Sequence, residues 1–305
     1  MTIHRFDVEL PHGITLACRS NIASFAQQAQ PRLRVMLLHG FPEAAFVWDD
    51  VMTRLDGDAA MLAPNLRGFE RSSAPVDVAA YRARHLVQDV AALIEAFGAP
   101  IDLLVAHDWG GALAWVLAAQ RPDLLRRLCI INAPHAATFL RELKTNPAQQ
   151  AASAYMNWLC RPEAARDLAA DDHRRLWRML ESTGGASWLD DATRGRYRDV
   201  WSRGLDGPLN YYRASPLRPP VDERSPIHAV AFEPKDVHVI VPTTVLWAEG
   251  DSALLPSLLD GLDEHVDDLR IVRVPGSHWI VHEQPELVVD TIRGCLRPHA
   301  KETMR

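Results

Sequence analysis

From Val35 onward, short apolar runs alternate with segments of helical period, and this alternation constrains the fold more than any other feature of the sequence. Runs that are apolar at every position are buried on both faces of a sheet, and helical connections between them favour parallel neighbours. The pattern predicts a doubly wound α/β architecture with a mostly parallel sheet, preceded by a β-hairpin over 3–10 and 14–20. The predicted strands are 35–38, 61–64, 102–106, 128–131, 243–248 and 269–274, and the clearest helices are 82–97 and 111–120.

The alternation lapses between about 137 and 238, where no strand pattern is convincing. An all-helical insertion above the sheet, where it can close a pocket, explains this lapse. We therefore predict a core domain of residues 1–136 and 239–305 and a helical lid domain of residues 137–238. Residues 161–206 contain nine arginines and nine acidic residues, a balance typical of a solvated, salt-bridged surface. The helical patterns in the lid lie around 147–159, 163–181 and 190–203.

Composition and charge exclude several classes of protein. The chain has 305 residues, 48% of them hydrophobic, which is enough for a large folded core. Its net charge is −6 and it has no basic block, so neither a nucleic-acid nor a membrane partner is expected. The N-terminus has no apolar signal segment, and we expect a cytoplasmic protein. The four cysteines lack C-x-x-C spacing, which indicates reduced, mostly structural thiols and neither a zinc site nor a disulfide framework.

An acidic residue interrupts the apolar run LLVAHDWGGALAW at 103–115. Asp108 lies between small residues where a predicted strand ends and a helix begins. This pattern has the shape of the strained strand-to-helix turn that exposes a nucleophilic side chain at the edge of an α/β sheet, with aspartate in the place of serine. Taken alone, Asp108 could instead be an ordinary helix N-cap.

Two further residues complete a catalytic order along the chain. Asp251 follows a predicted strand in LWAEGD, and His278 follows the last one in VPGSHW. A turn residue and a packed histidine are the structural alternatives, but nucleophile, acid and histidine in this order, all at strand carboxyl ends, indicate a catalytic triad. The segment HGFPE at 39–43 adds an oxyanion hole, with the backbone N–H groups of Phe41 and Trp109 as donors.

Five segments together resemble the α/β-hydrolase-fold epoxide hydrolases. The resemblance covers about 35–135 and 240–290 and implies an α/β-hydrolase fold with a helical lid. It also implies hydrolysis of an epoxide to a vicinal diol without a cofactor or metal. Glu70 departs from the pattern, because related sequences have glycine there. The segments are HGFPE at 39–43, NLRGFERS at 65–72, AHDWGG at 106–111, NAPH at 132–135 and GSHW at 276–279.

An aspartate nucleophile suits attack on sp³ carbon, because attack on an ester would only exchange one acyl group for another. With an epoxide or an alkyl halide, Asp108 would form an alkyl ester. Water activated by His278 would then hydrolyse this ester at the aspartyl carbonyl. Asp251 would orient the imidazole and stabilise the imidazolium.

The two substrate classes differ in what receives the leaving charge, because an epoxide opens to an alkoxide that needs a proton donor. Of the five tyrosines, Tyr155 and Tyr212 lie in contexts that resemble the lid tyrosines of epoxide hydrolases. Tyr155 stands seven residues before Pro162, and Tyr212 lies in an N-x-Y-R motif at 210–213. Aromatic packing is the alternative role for both, and Tyr211 is the nearest misassignment.

Dehalogenases with the same nucleophile are the alternative enzymes. Haloacetate dehalogenases have arginine at the position of Trp109, their triad acid at that of Asn132, and His-Trp at 155–156. Haloalkane dehalogenases generally have a halide-binding asparagine at the position of Phe41. These departures favour the epoxide hydrolases. A non-catalytic binding protein of this fold is a further alternative, against which the complete set of catalytic groups argues.

The resemblance also limits the expected partners. The substrate is predicted to be a small, apolar or neutral epoxide. Trp109, Phe139 and Trp158 are candidates for the wall of an apolar pocket, although Phe139 and Trp158 could equally be core residues. A homodimer is compatible with the sequence.

Overall fold

The computed structural model describes residues 2–25, 33–185 and 187–297. Its eight strands form one sheet in the order β1-β2-β4-β3-β5-β6-β7-β8. The first two strands form an antiparallel hairpin, β2 pairs antiparallel with β4, and all later pairs are parallel. The strands are β1 His4–Glu9, β2 Thr15–Ser20, β3 Leu33–Leu38, β4 Ala59–Pro64, β5 Leu103–His107, β6 Leu128–Ile131, β7 Thr243–Ala248 and β8 Leu269–Val274.

Helices cover the sheet and fill the interval between β6 and β7. Among the described residues, no helix is both long and apolar enough to cross a membrane. The helices are α1 Asp49–Arg54, α2 Ala83–Gly98, α3 Asp108–Gln120, α4 Ala136–Thr145, α5 Pro147–Ala152, α6 Tyr155–Leu159, α7 Ala164–Leu180, α8 Asp191–Trp201, α9 Asp206–Ala214, α10 Pro234–Val237, α11 Ile280–Glu283 and α12 Pro285–Leu296.

The predicted α/β architecture is confirmed, and each predicted strand lies within two residues of an observed one. The central strands β4, β5 and β6 are buried along their whole length, because helices pack on both faces of the parallel sheet. The carboxyl ends of β5, β7 and β8 therefore meet at one edge, where an open α/β sheet binds its ligands.

The helical interval differs in detail from the prediction. The pattern over 147–159 forms two short helices, α5 and α6, and α7 is interrupted because Asp171, Asp172 and His173 have positive φ. Three helices of this interval, α4, α9 and the short α10, were not predicted. His135 caps α4 by accepting from the Ala137 N–H, which is an unusual cap residue, and α9 has Gly-Pro in its first turn, which resembles a loop in sequence.

The described part of 137–238 contains no strand, as expected, and its charged residues form ion pairs across its surface. Arg198, for example, binds Asp172, and Arg194 binds Glu181. The division into core and lid domains stays a prediction, and "lid" below means residues 137–238. Outside this segment, Glu70 adopts the positive φ of 50° that a glycine would favour.

Candidate active site

Asp108 lies on a strained turn between β5 and α3. Its φ is 49°, in the left-handed region that non-glycine residues rarely adopt. The two positions that pack most closely around this turn, Gly40 and Gly110, require glycine. A Cβ on Gly40 would collide with the Asp108 carboxylate. A Cβ on Gly110 would lie 2.6 Å from the His39 carbonyl oxygen. The turn projects the Asp108 carboxylate beyond the end of the sheet.

The two oxygens of the Asp108 carboxylate have different surroundings. The Phe41 backbone N–H donates to Oδ1 at 2.7 Å, whereas Oδ2 lies 3.7 Å from Nε2 of His278. Trp109 N–H, the second predicted donor, follows directly in the first turn of α3. One oxygen is thus held by an amide, and the other lies near the imidazole.

A buried hydrogen-bond network fixes Asp251 against His278. Nδ1 of His278 donates to Oδ2 of Asp251 at 2.7 Å, and Asn132 Nδ2 donates to the same oxygen at 2.9 Å. Oδ1 accepts from the backbone N–H groups of Ala253 and Leu254, at 2.9 and 3.0 Å. Burial alone would raise the pKa of Asp251, but the charge and hydrogen bond of His278 lower it. The carboxylate is therefore held ionised and in one orientation.

The electrostatic surroundings of His278 favour its charged form. Burial alone would lower the pKa of this imidazole, but the nearby carboxylates, above all Asp251 and then Asp108, raise it to about 9. The resting site therefore holds an imidazolium between two aspartates. A chemical step that removes the charge of Asp108 removes one of the causes that raise this pKa.

Two lid phenols face Asp108 across a cavity. Tyr155 lies at the start of α6 and Tyr212 in α9, and their hydroxyls are within hydrogen-bonding reach of each other. Burial and the charge of Asp108 raise the pKa of both phenols above the usual value, so they remain protonated proton donors. The neighbouring Tyr211 instead donates to the Arg67 carbonyl at 2.9 Å.

The cavity on which Asp108 and the two phenols lie has mainly apolar walls. Trp109 and Phe139 lie on its wall, where they were expected. Asp108 is the one acidic residue among the described residues that line it, and none of them is lysine, arginine or histidine. The walls come from α3, α4, α6, α9 and the loops beside them, and they include Leu113, Val116, Met156, Leu217, Phe232 and Leu254.

Trp158 does not lie on the wall of this cavity, contrary to the expectation, and its indole lies against the Arg175 guanidinium at 5.4 Å. Helix geometry explains the difference. Tyr155 and Met156 of α6 both face the cavity. At about 100° per residue, position 158 points roughly 110° away from the mean direction of these two side chains.

The sequence analysis missed a second buried network, which lies behind His278. The Glu43 carboxylate contacts Nδ1 of His107 at 3.1 Å and Nε2 of His282 at 3.0 Å, and it accepts from the Tyr197 hydroxyl at 3.0 Å. Burial would raise the pKa of Glu43, but the hydrogen bonds of His107 and His282 hold it well below its usual range.

This network reaches His278 through the backbone of that residue. Nε2 of His107 donates to the His278 carbonyl at 2.9 Å, and the two rings lie 4.8 Å apart. Both nitrogens of His107 therefore face oxygen acceptors, one on the Glu43 side chain and one on the His278 backbone. Glu43 and His107 both lie in motifs noted above, HGFPE and AHDWGG. The signal available in the sequence was an ionisable residue at the end of each apolar run.

Known proteins share this fold and this sequence pattern. Residues 34–285 match the family model described as alpha/beta hydrolase fold. The chain is 30% identical to epoxide hydrolase 3 of Xenopus tropicalis, over 86% of this chain and 71% of that protein. An epoxide hydrolase of Bacillus megaterium, solved with an inhibitor, is 28% identical with a TM-score of 0.85, over 95% of this chain and 99% of that one. An epoxide hydrolase structure from metagenomes of hot environments is 33% identical with a TM-score of 0.83. The match covers 98% of this chain and 100% of that one.

The chain therefore belongs to the α/β-hydrolase-fold family and, within it, to the epoxide hydrolases. The resemblance inferred from five short motifs is confirmed over the greater part of the chain.

Proposed function

We propose that this enzyme hydrolyses a neutral epoxide to a vicinal diol through a covalent ester of Asp108. The observation that carries the proposal is the placement of Asp108 and two phenols on the wall of one cavity, with His278 beside Asp108. A carboxylate with one oxygen held by an amide faces two protonated phenols, and a histidine backed by Asp251 lies 3.7 Å from its other oxygen. Diol formation from a small aromatic epoxide, with product chirality measured, is the basic assay.

The first half of the reaction is ring opening. Oδ2 of Asp108 attacks an epoxide carbon from the cavity side, and the C–O bond of the ring breaks. Tyr155 and Tyr212 hydrogen-bond the epoxide oxygen and supply the proton that the developing alkoxide needs. The product is a hydroxyalkyl ester of Asp108, whose carbonyl oxygen is Oδ1.

The second half is hydrolysis of that ester. Ester formation removes the negative charge of Asp108, so the pKa of His278 falls, and its proton passes through solvent to the phenolate that ring opening leaves. Neutral Nε2 then takes a proton from water, which attacks the aspartyl carbonyl carbon. The N–H groups of Phe41 and Trp109 would stabilise the oxyanion that forms on Oδ1. His278 returns its proton to Oδ2 as the bond between this carbon and Oδ2 breaks, and the diol leaves. The carboxylic acid of Asp108 then gives its proton to His278, which restores the resting site.

Asp251→Asn is expected to leave alkylation of Asp108 largely intact and to slow ester hydrolysis by about 10³- to 10⁴-fold. Two backbone N–H groups bind Oδ1, so the new amide would keep its oxygen there and turn its NH₂ toward His278. Asn132 would not reverse this orientation, because its own Oδ1 accepts from Ala248 N–H. His278 would then carry its proton on Nε2 and could not act as a base. Rapid-quench measurement of ester formation and decay separates the two steps.

Glu249→Gln is the matched control for this variant. Glu249 is exposed two residues away and pairs with Arg273 at 3.5 Å. The Glu249→Gln variant should turn over at the rate of the unmodified enzyme. If the Asp251→Asn variant turned over at the wild-type rate and the Glu249→Gln variant lost turnover, the triad acid would be Glu249 instead.

The charge of the cavity wall predicts discrimination against anionic epoxides. A substrate carboxylate would be buried beside Asp108 with no cation on the described wall, so both desolvation and repulsion oppose binding. Phenyl glycidyl ether with a para-carboxylate should have a kcat/KM at least about 10²-fold below that of its methyl ester, which has nearly the same shape. Equal kcat/KM values for acid and ester would refute the assignment of a neutral substrate.

A further inference from the structure

Two of the four thiols lie together near the amino ends of the parallel strands, whereas Asp108 lies at the carboxyl ends. Cys129 is the second residue of β6, and its register partner Thr244 is the second residue of β7, so both side chains project from the same face. Helix α12 packs on this face and brings Cys295 within hydrogen-bonding reach of both. Both thiols are free. The catalytic mechanism uses neither of them.

A narrow surface cleft reaches one thiol of this pair. Cys295 lies on its wall together with Thr244 and the arginines 127 and 270. The hydrogen bond of Cys129 lowers the pKa of Cys295 to about 7; burial opposes this shift, and Thr244 and the two arginines support it. Cys295 therefore has more thiolate character than the other three thiols, whose pKa values are raised, and a small solute can approach it through the cleft.

The other two cysteines lack this combination. Burial raises the pKa of Cys18 and of Cys160, so both remain protonated at neutral pH. Cys160 is nevertheless more exposed than Cys295, which is 5% exposed. Exposure alone would make Cys160 the first thiol to react, whereas thiolate character and a neighbouring thiol favour Cys295.

We propose that Cys295 and Cys129 form a peroxide-reactive pair that closes to a disulfide between α12 and β6. The Cys295 thiolate attacks one oxygen of hydrogen peroxide, the O–O bond breaks, and the leaving hydroxide takes up a proton to become water. Cys295 is now a sulfenic acid. The Cys129 sulfur attacks this sulfur, the S–O bond breaks, and the hydroxide leaves as water with the thiol proton of Cys129. In balance, two thiols and one peroxide give one disulfide and two waters.

The test is oxidation of the full-length reduced protein with graded hydrogen peroxide, followed by alkylation of the remaining thiols and non-reducing peptide mapping. At low peroxide, the peptides that contain Cys129 and Cys295 should become linked while Cys18 and Cys160 stay alkylatable, and dithiothreitol should reverse the link. In guanidinium chloride this selectivity should be lost. Diol formation should be unchanged, because the pair lies near the amino ends of the strands and Asp108 lies at their carboxyl ends.

Two variants test the order of the steps. In Cys129→Ser, whose hydroxyl can keep the hydrogen bond to Cys295, oxidation should stop at a Cys295 sulfenic acid that dimedone labels. In Cys295→Ala, the remaining Cys129 should resist peroxide. Cys18→Ala, which also removes a buried thiol, is the matched control and should still form the link. Prior or equal reaction of Cys160, or a persistent Cys295 sulfenic acid in the unmodified protein, would overturn the proposal.

Discussion

Replacing both lid phenols, Tyr155→Phe with Tyr212→Phe, is expected to slow ester formation on Asp108 by about 10⁴-fold, and each single change by about 10²-fold. The reason is that ring opening produces an alkoxide, and Tyr155 and Tyr212 are the phenols on the described cavity wall whose pKa responds to the charge of Asp108. Pre-steady-state measurement of alkylation gives this step directly. Hydrolysis of any ester that forms should be little affected, since His278 and Asp251 are unchanged.

Tyr211→Phe is the control for these variants. Tyr211 neighbours Tyr212 in the chain and also lines the cavity, but its hydroxyl is bonded to the Arg67 carbonyl. The Tyr211→Phe variant should therefore form the Asp108 ester at a rate within a few-fold of that of the unmodified enzyme. Unchanged alkylation in the double variant would show that the two phenols are packing residues and that the proton comes from another group.

The His278→Ala variant is expected still to form the ester of Asp108 at a measurable rate. Its turnover should fall by about 10⁴-fold, because the base of the second step is missing. The variant should fold, since Asp251 keeps the hydrogen bonds of Asn132, Ala253 and Leu254. Intact-protein mass spectrometry should show the full mass of the epoxide added, because ring opening expels no fragment. Peptide mapping should place the adduct on Asp108.

A histidine outside the site provides the control for this variant. His265→Ala should accumulate no adduct and should turn over normally, because His265 stacks on His135 and does not line the cavity. A halogenated substrate would instead add its mass less that of hydrogen halide. Labelling of Asp108 by a haloalkane or haloacetate, with no adduct from any epoxide, would assign the enzyme to the dehalogenases.

The sequence predicted the sheet and the placement of the three candidate catalytic residues at strand ends well, because both depend on local signals. A strand buried on both faces requires an uninterrupted apolar run, and a site at strand carboxyl ends requires polar residues where those runs stop. Asp108, Asp251 and His278 satisfy both conditions. Their distances in the structure, 2.7 Å from His278 to Asp251 and 3.7 Å to Asp108, agree with the order read from the chain.

Features that depend on tertiary contacts or on unusual local chemistry were missed. Glu43 and His107 lie 64 residues apart, and nothing in their sequence spacing indicates that they meet. Trp158 lies near Tyr155 in sequence but points away from the cavity, and the direction of α6 decides this. Helix α4 begins at a histidine cap, which a search for serine, threonine or aspartate does not find.

The central claim is that the new oxygen of the diol comes from Asp108 and not directly from water. A single turnover with enzyme in excess over epoxide, in water enriched in oxygen-18, tests it most directly. Because hydrolysis breaks the bond between the carboxyl carbon and Oδ2, the diol should contain no oxygen-18, and the peptide that contains Asp108 should gain one atom of it. A labelled diol with an unlabelled Asp108 in that first turnover would contradict the covalent mechanism.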